Sequence, residues 1–183
     1  MSEVLSWVFA SLFVLVIVAW YLTYTAARLD RLHVRLSGTL AALDAQLVRR
    51  AEASLELATS GLLDGATSLI LAHAAADTLE NPGEHGEIRE VVESDLTEAL
   101  RVSLTEPATS AIRDQGQHGT DQLARLQSAC TRVEMARRFH NDAVTDVRRV
   151  RRKWAVRIFR LAGHTPMPHT VEFDDGTPPA LSS

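Results

Sequence analysis

The chain has 183 residues, with 19 Lys+Arg against 23 Asp+Glu and a formal net charge of -4, so bulk charge marks neither a highly basic nucleic-acid binder nor an acidic disordered tail. Hydrophobic residues make up 46% and aromatics 5%, with 9 Gly and 6 Pro, a mix that favours long Ala/Leu/Arg/Glu helices and excludes an all-β fold. The single cysteine, Cys130, rules out an internal disulfide and a cysteine-based zinc cluster.

No charged residue occurs from Val4 to Ala27. The 21 residues Val4 to Tyr24 are long enough for a transmembrane helix, which needs about 20 at 1.5 Å each. Trp7 near one end and Trp20, Tyr21 and Tyr24 near the other put amphipathic rings where headgroups meet hydrocarbon. A cleaved signal peptide fits less well, because Met-Ser-Glu supplies no basic n-region and the run outlasts a typical h-region. Arg28, Arg31 and Arg35 follow the span and no Lys or Arg precedes it, which predicts the N-terminus outside and the rest of the chain at the cytoplasmic face of the cell membrane.

Beyond the anchor (residues 1–27), Leu29, Leu32, Leu36, Leu40, Leu43 and Leu47 recur at steps of three or four and predict one helical stripe seeking a partner. Gly38, Gly61 and Gly65 are the places where this helix could bend. The cluster Asn81 to Gly86 predicts a turn. A second amphipathic helix is expected from about Gly86 to Leu104, burying Ile88, Val91, Val92, Leu96, Ala99 and Leu100 and exposing Glu87, Glu90, Glu93 and Glu98. Pro107 and the polar stretch to Gly119 predict a loosened connection. A long third helix follows, with Leu123, Leu126, Cys130, Val133, His140, Val144, Val147, Trp154 and Ile158 on heptad a/d positions and Arg137 and Arg151 in the same stripe. From residue 163 the prolines predict an extended, partly mobile tail. The expected architecture is all-α: an N-terminal transmembrane helix, an antiparallel long-helix bundle over 28–162, and the tail 163–183.

Charge is segregated. Residues 64 to 121 carry twelve acids and three arginines, residues 125 to 160 eleven bases and three acids, so the acidic second helix is expected to lie against the basic third, each exposed pair contributing ~0.2–1 kcal/mol.

The helix-one block Leu43-Asp44-Ala45-Gln46-Leu47-Val48-Arg49-Arg50-Ala51-Glu52, and the later block Ala136-Arg137-Arg138-Phe139-His140-Asn141-Asp142-Ala143-Val144 with Trp154 ahead of Ile158-Phe159-Leu161-Gly163, resemble two motifs of the LemA family of bacterial membrane proteins in order and spacing. His140 stands where that family has Tyr, Leu40 where it has Trp, and Leu55 and Ala155 where it has Pro, marking a divergent member. Loss of the two prolines predicts a straighter first helix and a third helix that runs on past Trp154. The resemblance implies a single-pass anchor carrying a cytoplasmic antiparallel bundle, and transfers no catalytic residue.

Arg148, Arg149, Arg151, Arg152 and Lys153, followed by Trp154, Arg157, Phe159 and Arg160, form a basic helix with interleaved aromatics suited to anionic lipid or a partner protein. Arg49 and Arg50 are expected to serve an ion pair or lipid contact at the bundle edge, and Asn141 to set bundle register through a hydrogen bond across it. His140 and Asp142 diverge on a helix and make no acid-base pair. His164 and His169, with the acids beyond them, lack any metal-ligand spacing. Phosphate-binding glycine loops are absent from the sequence, and Cys130 has no activating frame. A non-catalytic interaction or scaffold module, without cofactor or nucleic acid, is the expected function. Its expected partners are the lipid bilayer, a membrane or cytoplasmic protein, or a second copy of the chain. The alternative is a single-pass signalling transducer working through its coiled-coil-like helices.

Overall fold

The computed structural model describes residues 2–80, 86–159, 161, 163 and 165–182. Within them the chain is all-α, with helices α1 (Ser2–Thr59), α2 (Gly65–Glu80), α3 (Glu87–Ser103), α4 (Glu106–Asp114), α5 (Gln117–Arg151), α6 (Trp154–Ile158) and α7 (Pro179–Ser182). They form two compact units, one of Met1–Gly38 with Asp142–His169, the other of Thr39–Asn141 with Thr170–Ser183. These units cross the boundaries at 27 and 162 suggested by the sequence, because α1 and α5 each supply residues to both.

Helix α1 passes through Gly38 unbroken and stops after Thr59, where Gly61 takes a φ of 77° and ends the helix in the left-handed conformation that costs glycine least. Asp64 opens α2 by accepting from the amides of Ala66 and Thr67, both at 3.1 Å, and hydrogen bonds with Thr67 hold its carboxyl below the usual carboxylate range. The turn expected at 81–86 falls outside the described residues up to residue 85. Where loosened chain is expected at Pro107, the structure has α4 instead: Pro107 lies in its first turn, where the missing N–H is no loss. Gly116, with φ 94°, separates α4 from α5. On α5, a Cβ at Gly119 would stand 2.1 Å from the Ile112 carbonyl oxygen, so glycine is what lets the two helices approach.

In the unit of residues 39–141 and 170–183, α1 and α5 run antiparallel: Thr39 meets His140, Leu43 and Leu47 pack with Val133, and Glu56 accepts from Gln122 and Arg125. Ala51, Leu57, Leu71, Ala75, Leu96, Leu100, Ile112, Leu126, Cys130 and Leu181 form the main core, drawing on α1 through α5 and on the C-terminal segment.

That segment is extended, as the prolines suggest, but it is packed on the bundle where a partly mobile tail is expected. Phe173 is buried with Leu43, Leu47 and Val133; Leu181, in α7, joins the main core; and Arg137 grips Asp175 through two bonds of 2.7 and 2.8 Å. Prolines exclude helix interiors but not extended packing, and Pro179 begins α7 rather than preventing it.

In the other unit, Val4 to Tyr24 presents a continuous exposed apolar surface, with Trp7 and Trp20 about three-quarters exposed. Burial begins at Thr25 and Leu29, where α1 meets Val150 and Val156. Among the described residues, one helix is long and apolar enough to cross a membrane, with a mean hydropathy of 2.3 over its most apolar stretch.

Candidate functional site

The basic region at the end of α5 separates into two sets. Arg148 and Arg151 turn inward onto the chain itself: Arg148 Nε donates to the Pro168 carbonyl at 2.7 Å, and Arg151 donates to the carbonyls of Pro166 and Thr165 at 2.7 and 2.6 Å. They hold the extended segment that follows α6, which corrects their expected place on an open surface. Arg149, Arg152 and Lys153 are exposed, as is Arg157; Arg160 and His164 lie outside the described residues.

The third helix does not run on past Trp154. It ends at Arg151, and the chain turns at Arg152 and Lys153 before α6 begins. Lys153 sits at the N-cap with extended φ and ψ of -62° and 136°. The apolar heptad stripe therefore stops at Val147, and Trp154 and Ile158, expected within it, are 68% and 66% exposed. The buried face of α6 is Ala155 and Val156 instead, with Val156 against Leu29, Val150 and Leu161. On α1, Arg28, Arg31 and Arg35 are exposed beside this contact, with Arg35 3.6 Å from Asp146.

Arg49 and Arg50 also part company. Arg49 is exposed and lines a shallow groove with Gln46, Arg125 and Arg132. Arg50 is 1% exposed, which removes it from the bundle edge and from any lipid contact. Its Nη2 donates to Glu93 Oε2 at 2.7 Å and to the Glu93 carbonyl at 3.1 Å, and its Nη1 to Thr97 Oγ1 at 3.0 Å. From the other side Arg89 Nη2 stands 2.8 Å from Glu93 Oε1. Glu93, expected on the solvent face, is completely buried, while Ile88 and Val91 are exposed. The first turns of α3 thus show the opposite face from the one its apolar residues suggest. A signal was present: Arg50 lies seven residues after Leu43 and three after Leu47, and Glu93 lies three before Leu96 and seven before Leu100, so both share the buried stripe of their own helix.

The charges of α3 and α5 are accordingly not matched as expected. Those of α3 meet Arg50, Arg89 and Arg101, and those of α5 meet Glu56, Glu134 and Asp175. Asn141 bonds to the C-terminal segment rather than to another bundle helix: its Nδ2 donates to the Val171 carbonyl at 3.0 Å, and its Oδ1 accepts from the Val171 amide at 2.9 Å. One side chain so satisfies both polar groups of one extended residue, as a neighbouring strand would.

His140 is buried near Thr39. Cys130 is buried too, and burial pushes its thiol pKa up, against a smaller lowering by the Arg50 charge. Among the described residues no three His, Cys, Asp or Glu side chains are grouped to hold a metal ion. A second groove, of about 570 Å³, runs between α2 and α3 over Leu69, Ile70, Val92 and Val102, edged by Asp77, Asp95 and Glu98.

No protein-family model, curated protein or solved structure matches this chain.

Proposed function

We propose that the chain is a divergent LemA-like protein: a non-catalytic, single-pass module whose helical bundle stands at the cytoplasmic face of a bacterial membrane and holds a partner protein or a second copy there. The observation that carries this reading is α1. A single helix, Ser2–Thr59, contains the exposed apolar run and also supplies Leu43, Leu47, Ala51 and Leu57 to the cores, with no loop between. Tethering of this kind acts by raising the effective concentration of the bundle for anything else on the same surface. The arginines after the apolar run support the orientation.

The test is access of a membrane-impermeant maleimide in intact cells, with Cys130→Ser as background and cysteines placed at Glu3 or at the exposed Thr131. Labelling of Glu3→Cys alone is expected. Labelling of Thr131→Cys from outside would place the bundle on the other face and overturn the cytoplasmic reading.

Continuity of α1 also supports a second reading, a transducer that carries a lipid or neighbouring-protein signal into the bundle. Amide exchange in α5 that shifts with bilayer composition would favour it; exchange indifferent to composition would favour the static module.

A further inference from the structure

The packing of α6 on α1 fixes its height on the anchor. Val156 is 2% exposed and Ala155 1%, and Val156 shares a small core with Leu29 and Val150, bordered by Leu32 and Leu161. Leu29 and Leu32 come five and eight residues after Tyr24, which at 1.5 Å per residue is about 7–12 Å beyond the apolar run. The polar layer on each side of a bilayer is about 5–8 Å deep, half the difference between a core of about 30 Å and a whole of about 40–45 Å. A contact at Leu29 and Leu32 therefore puts α6 at the outer edge of the lipid headgroups on the side where the arginines lie.

Among the described residues nothing covers the other face of α6. Trp154 and Ile158, four residues apart and so on one side of the helix, are 68% and 66% exposed, and Phe159 at its C-cap is 46% exposed. Arg152, Lys153 and Arg157 surround them, all exposed. A five-residue helix has little stability of its own; this one is pinned by its buried face, leaving an aromatic and aliphatic surface ringed by cations.

We propose that residues 152–159 form a second membrane contact, an interfacial wedge that seats Trp154, Ile158 and Phe159 among the headgroups of an anionic leaflet while Arg152, Lys153 and Arg157 bind lipid phosphates. The wedge rests on the reading that α1 spans the membrane. Three features favour lipid over a protein occupant: the height fixed by Leu29 and Leu32, the preference of tryptophan for the interface, and attraction of clustered cations to anionic lipid. The α2–α3 groove of a second copy, apolar and edged by Asp77, Asp95 and Glu98, is the competing occupant by charge, and the test separates the two.

The full chain has three tryptophans, so two variants isolate the reporters: Trp7→Phe/Trp20→Phe keeps Trp154, and Trp7→Phe/Trp154→Phe keeps Trp20. Each is reconstituted into vesicles of phosphatidylcholine alone, or with about a third phosphatidylglycerol, containing phosphatidylcholine brominated high on its acyl chains. Trp20 is expected to be quenched in both vesicles, which reports the anchor. Trp154 is expected to be blue-shifted and quenched more strongly with the anionic lipid. Each of Arg152→Gln, Lys153→Gln and Arg157→Gln is expected to lower the partition of the wedge about fivefold, leaving Trp20 unchanged. Trp154 emission typical of water, unquenched while Trp20 is quenched, would overturn the wedge and leave the anchor standing. Trp154 shielded but unquenched, and re-exposed when the protein is diluted in lipid, would assign the surface to a second copy and also overturn it. Trp20 unquenched would overturn the anchor reading, and the wedge with it.

Discussion

Replacing Glu93 by alanine is the sharpest test of how the bundle interior is held together. Glu93 is fully buried between Arg50, 1% exposed, and Arg89, 5% exposed, and its two carboxylate oxygens lie 2.7 and 2.8 Å from their guanidinium groups. The substitution leaves Arg50 its bonds to Thr97 Oγ1 and the Glu93 carbonyl and leaves Arg89 a bond to the Thr78 carbonyl at 3.3 Å. Neither carbonyl nor hydroxyl neutralises a charge. Removing one partner of a buried pair costs ~3–5 kcal/mol, and Arg50, 1% exposed, keeps its bonds to a hydroxyl and a carbonyl but loses this carboxylate, so the upper end of that range is expected. A loss of this size is a third or more of the ~5–15 kcal/mol that holds a typical domain folded. Urea unfolding of the full chain in detergent, followed by far-UV circular dichroism, would show it as a lowered midpoint with an unchanged slope. Arg50→Met completes the cycle: the double variant Arg50→Met/Glu93→Ala is expected to lose less than the sum of the two singles, with a coupling of ~2–3 kcal/mol. A Glu93→Ala loss under ~1 kcal/mol, the size of an exposed pair, or strict additivity in the cycle, would refute the buried network.

Asn141→Ala strips both hydrogen bonds from the backbone of Val171 and is expected to cost ~1–3 kcal/mol, with faster amide exchange at Val171 as the local readout; unchanged exchange there would contradict the clasp. Asp174 has its carboxyl held below the ordinary range, chiefly by the Arg101 guanidinium and then by the Gly176 amide. A lowered folded pKa stabilises fully above the ordinary value near 4 and is lost as pH falls below it. Acid titration of the midpoint should therefore lose ~0.2–1 kcal/mol below about pH 4, the small size reflecting a half-exposed pair, and Asp174→Asn should flatten that limb. Cys130, buried with its thiol pKa pushed up by desolvation, should react with an aromatic disulfide reagent only on unfolding; rapid modification of the folded chain would show that α5 is not packed as described.

The wedge and the network place the positive charges of the chain in different environments. Exposed Arg149, Arg152, Lys153 and Arg157 remain available to a surface, whereas Arg50, Arg137, Arg148 and Arg151 are consumed inside the chain, two of them on carboxylates and two on backbone carbonyls. Residue type alone does not tell the two groups apart, since guanidinium serves equally as a lipid ligand and as a planar donor to carboxylate or carbonyl.

Much of the architecture was legible in the chain by itself because it is a matter of local period. The uncharged run from Val4 to Ala27, the stripe from Leu29 to Leu47 and the stripe from Leu123 to Val147 each lie within one helix, and side-chain direction along a helix is set by position in the sequence. The dense apolar run with rings at both ends likewise carries its own evidence for a span. Tertiary structure decided whatever depends on a distant segment. Glu93 shares the stripe of Leu96 and Leu100 by spacing, but it is the arrival of Arg50, 43 residues away in sequence, to pair with it that lets a carboxylate be buried there. The tail is ordered because Asn141, Arg137, Arg101 and Arg113 reach it from three helices, supplying the hydrogen bonds that its extended backbone cannot make within itself. Trp154 leaves the heptad stripe because α5 stops at Arg151, where that side chain and Arg148 bind the returning segment. Period shows which residues share a face; only the partners brought together by folding show whether that face meets core, water or lipid.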